Sequence, residues 1–164
     1  MLMFLSLVGC PTTGAVDAPV AAVATIPQGT ATILSSRATA DGLNEVQVDL
    51  DGDQKAEIIN YYRESGGNKL LLKKDVDLNR DGKIDVRSAF DEAGLRVKEE
   101  MDGDFDGRVD WVDHYIQGKR SMSEVDTNFD GTFDLFKYYE NGRVRRKERD
   151  TNADARIDFW ELLD

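Results

Sequence analysis

The chain has one cysteine, one histidine and three prolines in 164 residues. A single cysteine, Cys10, excludes a disulfide within the chain. The one histidine, His114, stands beside Trp111 and Tyr115 and reads as a surface or cross-strand residue rather than a catalyst. No serine or cysteine sits in a nucleophile motif, and no glycine-rich phosphate loop precedes a helix. Positive charge is also short: the net charge is −11, which argues against nucleic acid, because phosphate binding needs clustered Lys and Arg. Arg143, Arg145, Arg146, Lys147 and Arg149 are locally basic, but acids adjoin them and the run reads as a solvated strand that neutralises its neighbours.

What the chain has in excess is acid at fixed spacing. Five runs begin at Asp49, Asp77, Asp102, Asp126 and Asp150, a period that settles to 24 residues. Each offers side-chain oxygen at its first, third, fifth and ninth positions. The sets are Asp49, Asp51, Asp53 and Glu57; Asp77, Asn79, Asp81 and Asp85; Asp102, Asp104, Asp106 and Asp110; Asp126, Asn128, Asp130 and Asp134; and Asp150, Asn152, Asp154 and Asp158. Carboxylates this crowded repel one another unless a hard cation lies between them, and Ca²⁺ takes six to eight oxygens of this kind. The sixth position, where the chain turns sharply, is Gly82, Gly107 and Gly131 in the middle runs, but Gln54 and Ala155 in the outer two.

After each acidic run comes a stretch rich in β-branched and aromatic residues, such as Trp111 to Tyr115, which favours a strand. A turn signal follows (Gly66-Gly67, Ala93-Gly94, Gln117-Gly118, Asn141-Gly142), then a more polar strand. The sequence therefore predicts an all-β fold: an antiparallel meander of about five 24-residue β-hairpin repeats joined by calcium-binding loops. The competing arrangement is a helix–loop–helix. It requires a bidentate Glu at the twelfth loop position, and only the last run complies, with Glu161. Phe159 to Leu163 is the segment most open to a helix.

All three prolines precede residue 40, and residues 11–40 carry only Asp17 and Arg37 as charges, with no aromatic residue. Such a stretch cannot build a core and reads as a flexible tether. The expected organisation is a signal peptide over 1–9, a lipidated cysteine and tether over 10–40, and the repeat domain over 41–164. Five divalent ions would bring ten positive charges against a net of −11, leaving −1.

The apolar start ends in Leu7-Val8-Gly9-Cys10 and resembles the bacterial lipobox. That resemblance implies diacylglycerol and a further acyl chain on Cys10, hence a membrane partner and a place in the bacterial cell envelope. Pro11 after Cys10 favours the outer membrane or cell surface. The basic segment that usually opens a signal peptide is missing, as a truncated start would explain. The loop Asp126 to Asp134 resembles the calcium loops of FG-GAP and VCBS repeats, and the first nine positions of EF-hand and dockerin loops. The resemblance implies ligands at positions one, three, five and nine plus a backbone carbonyl at position seven. The hairpin Tyr138 to Val144 is similar to MORN-type repeats, which serve as scaffolds.

The function expected is that of a membrane-anchored, calcium-binding repeat lipoprotein, a non-catalytic scaffold or adhesion module. The aromatics are cross-strand partners first, and an exposed stripe of them would take a protein or glycan ligand. The alternatives are a helical EF-hand-like or dockerin-like docking module, and an enzyme accessory or weak hydrolase built on a carboxylate pair.

Overall fold

The structure, a computed structural model, describes residues 31–164. Cys10, the apolar run before it and the tether up to residue 30 lie outside the described residues. Eleven strands follow one another: β1 (Thr32–Ala38), β2 (Asn44–Asp49), β3 (Ile58–Ser65), β4 (Asn68–Val76), β5 (Val86–Phe90), β6 (Arg96–Met101), β7 (Trp111–Ile116), β8 (Lys119–Val125), β9 (Leu135–Glu140), β10 (Arg143–Arg149) and β11 (Phe159–Leu162). Each pairs antiparallel with the next, so the strand order in the sheet is the order in the chain. The fold is the all-β meander expected from the repeat. The described residues contain no helix, and strands flank every acidic loop. Phe159 to Leu162, the segment most open to a helix, pairs with β10 from Arg149↔Phe159 to Arg146↔Leu162.

The sheet begins earlier than composition indicates, because β1 lies inside the stretch read as tether. Five of its seven side chains are exposed. It is held by main-chain pairing, from Ala38↔Asn44 to Thr32↔Asp49, which leaves no apolar pattern in the sequence.

Strand connections alternate between two ends of the sheet. At one end lie the hairpin turns. Gly66-Gly67, Gln117-Gly118 and Asn141-Gly142 have positive φ at both residues, the tight turn whose twist matches that of the strands. Thr39 to Leu43 and Asp91 to Leu95 are wider; in the second, the Asp91 N–H donates to the Leu95 carbonyl at 2.8 Å. At the other end lie all five acidic loops, between β2 and β3, β4 and β5, β6 and β7, β8 and β9, and β10 and β11.

A second periodicity is invisible in composition. Register jumps leave Leu72, Val97, Ser121 and Arg145 as extra residues in the second strand of four successive hairpins. Such β-bulges increase local twist and reverse the alternation of side chains beyond them.

No second layer covers either face among the described residues. Only Leu43, Val112, Val125 and Leu135 are buried apolar side chains, against thirteen buried polar or charged ones. Cross-strand contacts therefore carry an unusual share of the packing. Just inside the loops an apolar row crosses the sheet through Val48, Ile58, Val76, Val86, Met101, Trp111, Val125 and Leu135. Towards the turns, Arg96 lies between Phe90 and Tyr115, and Arg120 between Tyr115 and Tyr139, with guanidinium carbons 5.5–6.0 Å from the ring centres.

Candidate metal centres

The five loops share one local geometry, built by the same residues in each copy. The first aspartate faces inward and accepts the sixth-position N–H: Gln54 to Asp49 at 3.0 Å, Gly82 to Asp77 at 2.8 Å, and Gly107 to Asp102, Gly131 to Asp126 and Ala155 to Asp150 each at 2.7 Å. The third-position side chain accepts the fifth-position N–H, as Asp81 to Asn79 at 2.9 Å. The fifth accepts the seventh, as Lys83 to Asp81 at 2.8 Å. The ninth reaches back to the second-position N–H: Leu50 to Glu57 at 2.6 Å, Leu78 to Asp85 at 2.7 Å, Gly103 to Asp110 at 2.6 Å, Thr127 to Asp134 at 3.1 Å and Thr151 to Asp158 at 2.9 Å.

Two residues per loop adopt left-handed backbone. The sixth position does so in all five copies, with φ of 69 at Gln54 and 64 at Ala155 beside 91–98 at the three glycines. The outer loops therefore keep the turn without the residue that suits it. The fourth position does so too, at Gly52, Arg80, Phe105, Phe129 and Ala153. Sequence reasoning missed this second turn, because no residue type marks it.

Burial divides the candidate ligands, with one exception. All five first-position aspartates are buried, as are Glu57, Asp85, Asp110 and Asp134 at the ninth position. Asp158, the last, is exposed, because no strand follows β11 in the described sheet. Every third- and fifth-position residue is exposed. Each loop thus has an inner pair fixed by backbone donors and an outer pair open to solvent. Hydrogen bonds from backbone N–H groups favour the charged form of a carboxylate. Asp49 lies below its ordinary range chiefly through the Gly52 N–H, and Asp81 chiefly through the Lys83 N–H. Asp106 lies low chiefly through the Arg108 side chain. For Asp150, burial acts to raise the value, but the N–H groups of Ala155, Asn152 and Asp154 outweigh it and the net shift is downward.

Two loops bring their carboxylates together as a metal would require. Asp49, Asp51, Asp53 and Glu57 form one group, and Asp102, Asp104 and Asp106 another, each with oxygens within 4.8 Å of one another. Asp110 stands outside the second group, engaged by the N–H groups of Gly103 and Asp104. In the other three loops an asparagine replaces the third-position acid. Its amide donates to the fifth-position carboxylate at 3.2, 3.0 and 3.4 Å, from Asn79, Asn128 and Asn152. One like-charge repulsion is thereby exchanged for a hydrogen bond. The donor set is wholly oxygen, with neither His nor Cys in any loop, which fits a hard divalent cation rather than a soft one.

The loops also touch one another. Each first-position N–H donates to the ninth-position carbonyl of the loop before it: Asp77 to Glu57, Asp102 to Asp85, Asp126 to Asp110 and Asp150 to Asp134, at 2.8–3.0 Å. Arg80 of the second loop pairs with Asp51 of the first at 2.8 Å. Arg108 of the third donates to the Asp130 carbonyl of the fourth at 3.3 Å.

Away from the loops, Asp75 and Glu100 line one open hollow together, and His114 is engaged with Glu124 at 2.6 Å. No described helix is long and apolar enough to cross a membrane.

No family model matches the chain, and no curated protein does. Among solved structures, a point mutant of TarM from S. aureus, crystallised with Fondaparinux, alpha-GlcNAc-glycerol and UDP, is similar with a TM-score of 0.42 and 17% identity. The likeness covers 67% of this chain and 20% of that one.

Proposed function

We propose that each of the five loops holds a calcium ion and that the ions order the domain. The observation that supports this reading is the recurrence, in all five copies, of the first-position carboxylate bonded to a left-handed sixth residue, including the two copies whose sixth residue is ill suited to that backbone. The ligands would be the side chains at positions one, three, five and nine of each run. A bound calcium supplies charge neutralisation and nothing further is asked of it. The protein's own residues fix the bends that join successive hairpins. With so little apolar burial, this contribution is large: at about tenfold excess over the dissociation constant, linkage gives about 1.4 kcal/mol per site. Five sites then contribute about 7 kcal/mol, comparable to the stability of an ordinary domain.

The chain would be anchored through lipid at Cys10, in the bacterial envelope, and would act there without catalysis, as a scaffold or adhesion module. Support for the anchor is the Leu7-Val8-Gly9-Cys10 run alone. Isothermal titration in calcium-free buffer should count up to five sites, and the melting temperature should rise as they fill. Equal melting curves in EDTA and in millimolar calcium would refute the ordering role. Mass spectrometry of the native N-terminus tests the anchor, since an unmodified Met1 rules out lipidation.

A further inference from the structure

Of the four units followed by another loop, one breaks the repeat on the face of the sheet that carries the thirteenth position counted from each loop. That position is Tyr61, Ala89, His114, Tyr138 and Leu162 in successive units. Where it is a ring, the ring meets the acid two residues before the next loop. Tyr138 donates its hydroxyl to Glu148 at 2.9 Å, His114 meets Glu124 at 2.6 Å, and the Tyr61 phenol is set against Asp75. In the second unit the ring is replaced by a methyl group, and the acid, Glu100, takes the Lys98 ammonium instead at 2.6 Å.

The register makes the consequence plain. Ala89 lies between Lys73 and Lys98 across the strands, with Tyr61 beyond Lys73 and His114 beyond Lys98. The shortest side chain of the row is flanked by long ones, and a hollow of about 400 Å³ opens there. Pockets that hold small ligands run from about 300 to 1,000 Å³. The next row inward is Asp75, Arg87 and Glu100, paired across β4, β5 and β6. Three cations (Lys73, Arg87, Lys98) thus line the hollow against two carboxylates (Asp75, Glu100). The Arg87 guanidinium makes no close salt bridge among the described residues, and its charge acts on Asp75 across the strand.

We propose that this hollow binds a six-membered ring carrying a hydroxyl and a carboxylate, seated where the other units place their own ring. The ring lies over Ala89, flanked by Tyr61. Its hydroxyl donates to Glu100, as the Tyr138 phenol donates to Glu148, and its carboxylate meets Arg87 and the lysines. Two sources share this chemistry: the uronic acid of an acidic polysaccharide, and a hydroxybenzoate. None of the residues lining the hollow belongs to an acidic loop.

The test is isothermal titration of the calcium-loaded full chain with glucuronate and with 4-hydroxybenzoate, using glucose and phenol as neutral controls. At least one acid should bind in the range of about 0.1–1 mM, and its neutral counterpart about tenfold more weakly. Which acid binds identifies the source. Ala89→Tyr, which fills the gap with the ring that its neighbouring units carry, should abolish binding while circular dichroism and melting temperature stay unchanged. Arg87→Gln should remove the preference for the acid over its neutral control and so decides the matter even if Ala89→Tyr fails to fold. Failure of both acids to bind, equal binding of acid and neutral ring, or full binding by Arg87→Gln would each overturn the proposal.

Discussion

At the scale of single residues, the loops depend on backbone shapes that most side chains resist. Ala155 holds φ 64 where three other loops have glycine. A left-handed residue with a Cβ costs about 1–2 kcal/mol, partly offset by the greater chain entropy of glycine. Ala155→Gly should therefore stabilise the domain by about 0.5–1 kcal/mol. Gly107→Ala, at φ 98, should destabilise it by at least about 1 kcal/mol. Urea denaturation of both variants in calcium checks the opposite signs, and like signs would show that the turn is not the determining factor.

The same residues set a pH dependence. Asp49, Asp81, Asp106 and Asp150 all have folded values lowered from the ordinary 3.8. They bind a proton less readily folded than unfolded. Their contribution to stability is thus complete above 3.8 and is lost as pH falls through the lowered values. Asp75, raised by burial, works the other way, because its protonation favours the folded state. In calcium-free buffer, the melting temperature should fall as the solution is acidified below about pH 4, since the lowered carboxylates, Asp41 among them, outnumber the one raised. A melting temperature that climbs over that range would reverse the assignment. The acidic loops and their common geometry were legible from spacing alone. The inner and outer pairs were not, because position along a loop does not announce which oxygens the backbone will claim.

At the scale of elements, the strands after each loop were legible because β-branched and aromatic residues cluster there. The turns were legible because glycine marks them. β1 and the four bulges were not. The strand joins by main-chain hydrogen bonds with mostly exposed side chains, and a bulge residue is defined by its partner's register, not by its own identity. Leu72, Val97, Ser121 and Arg145 have no chemistry in common. The hollow at Ala89 was likewise hidden, since a missing ring matters only once its cross-strand neighbours are known. Within the elements the apolar row holds two of the four buried apolar side chains, Val125 and Leu135. Leu135, 7% exposed on β9, adjoins Val125 on β8. Leu135→Ala should cost about 2–3 kcal/mol. The exposed Leu162→Ala on β11 should cost under about 0.5 kcal/mol. Chemical denaturation of the pair measures the contrast, and equal losses would mean that the sheet has no energetic centre.

At the scale of the molecule, the sheet is a stack of like units in which each contacts the next and little else, so stability is close to a sum of unit and neighbour terms. Charge follows the same arithmetic. The chain's net charge is −11, and the acidic loops are spread along one end of the sheet in five doses, so their repulsion is shared among units. The first-position N–H that reaches the preceding loop's ninth-position carbonyl recurs at every junction with a 2.8–3.0 Å length.

That recurring bond makes the units interchangeable at their seams. Excising Asp102 through Val125 would join Met101 directly to Asp126, in a chain whose strand directions and side-chain faces are unaltered. Asp126 would then reach for the Asp85 carbonyl as Asp102 does now. The shortened protein should fold, titrate with one loop fewer and remain soluble, whereas removal of half a period would invert every later strand. Breadth is then a quantity this architecture can vary by whole steps, and the width of the sheet becomes something gene duplication can adjust while the seam itself is kept.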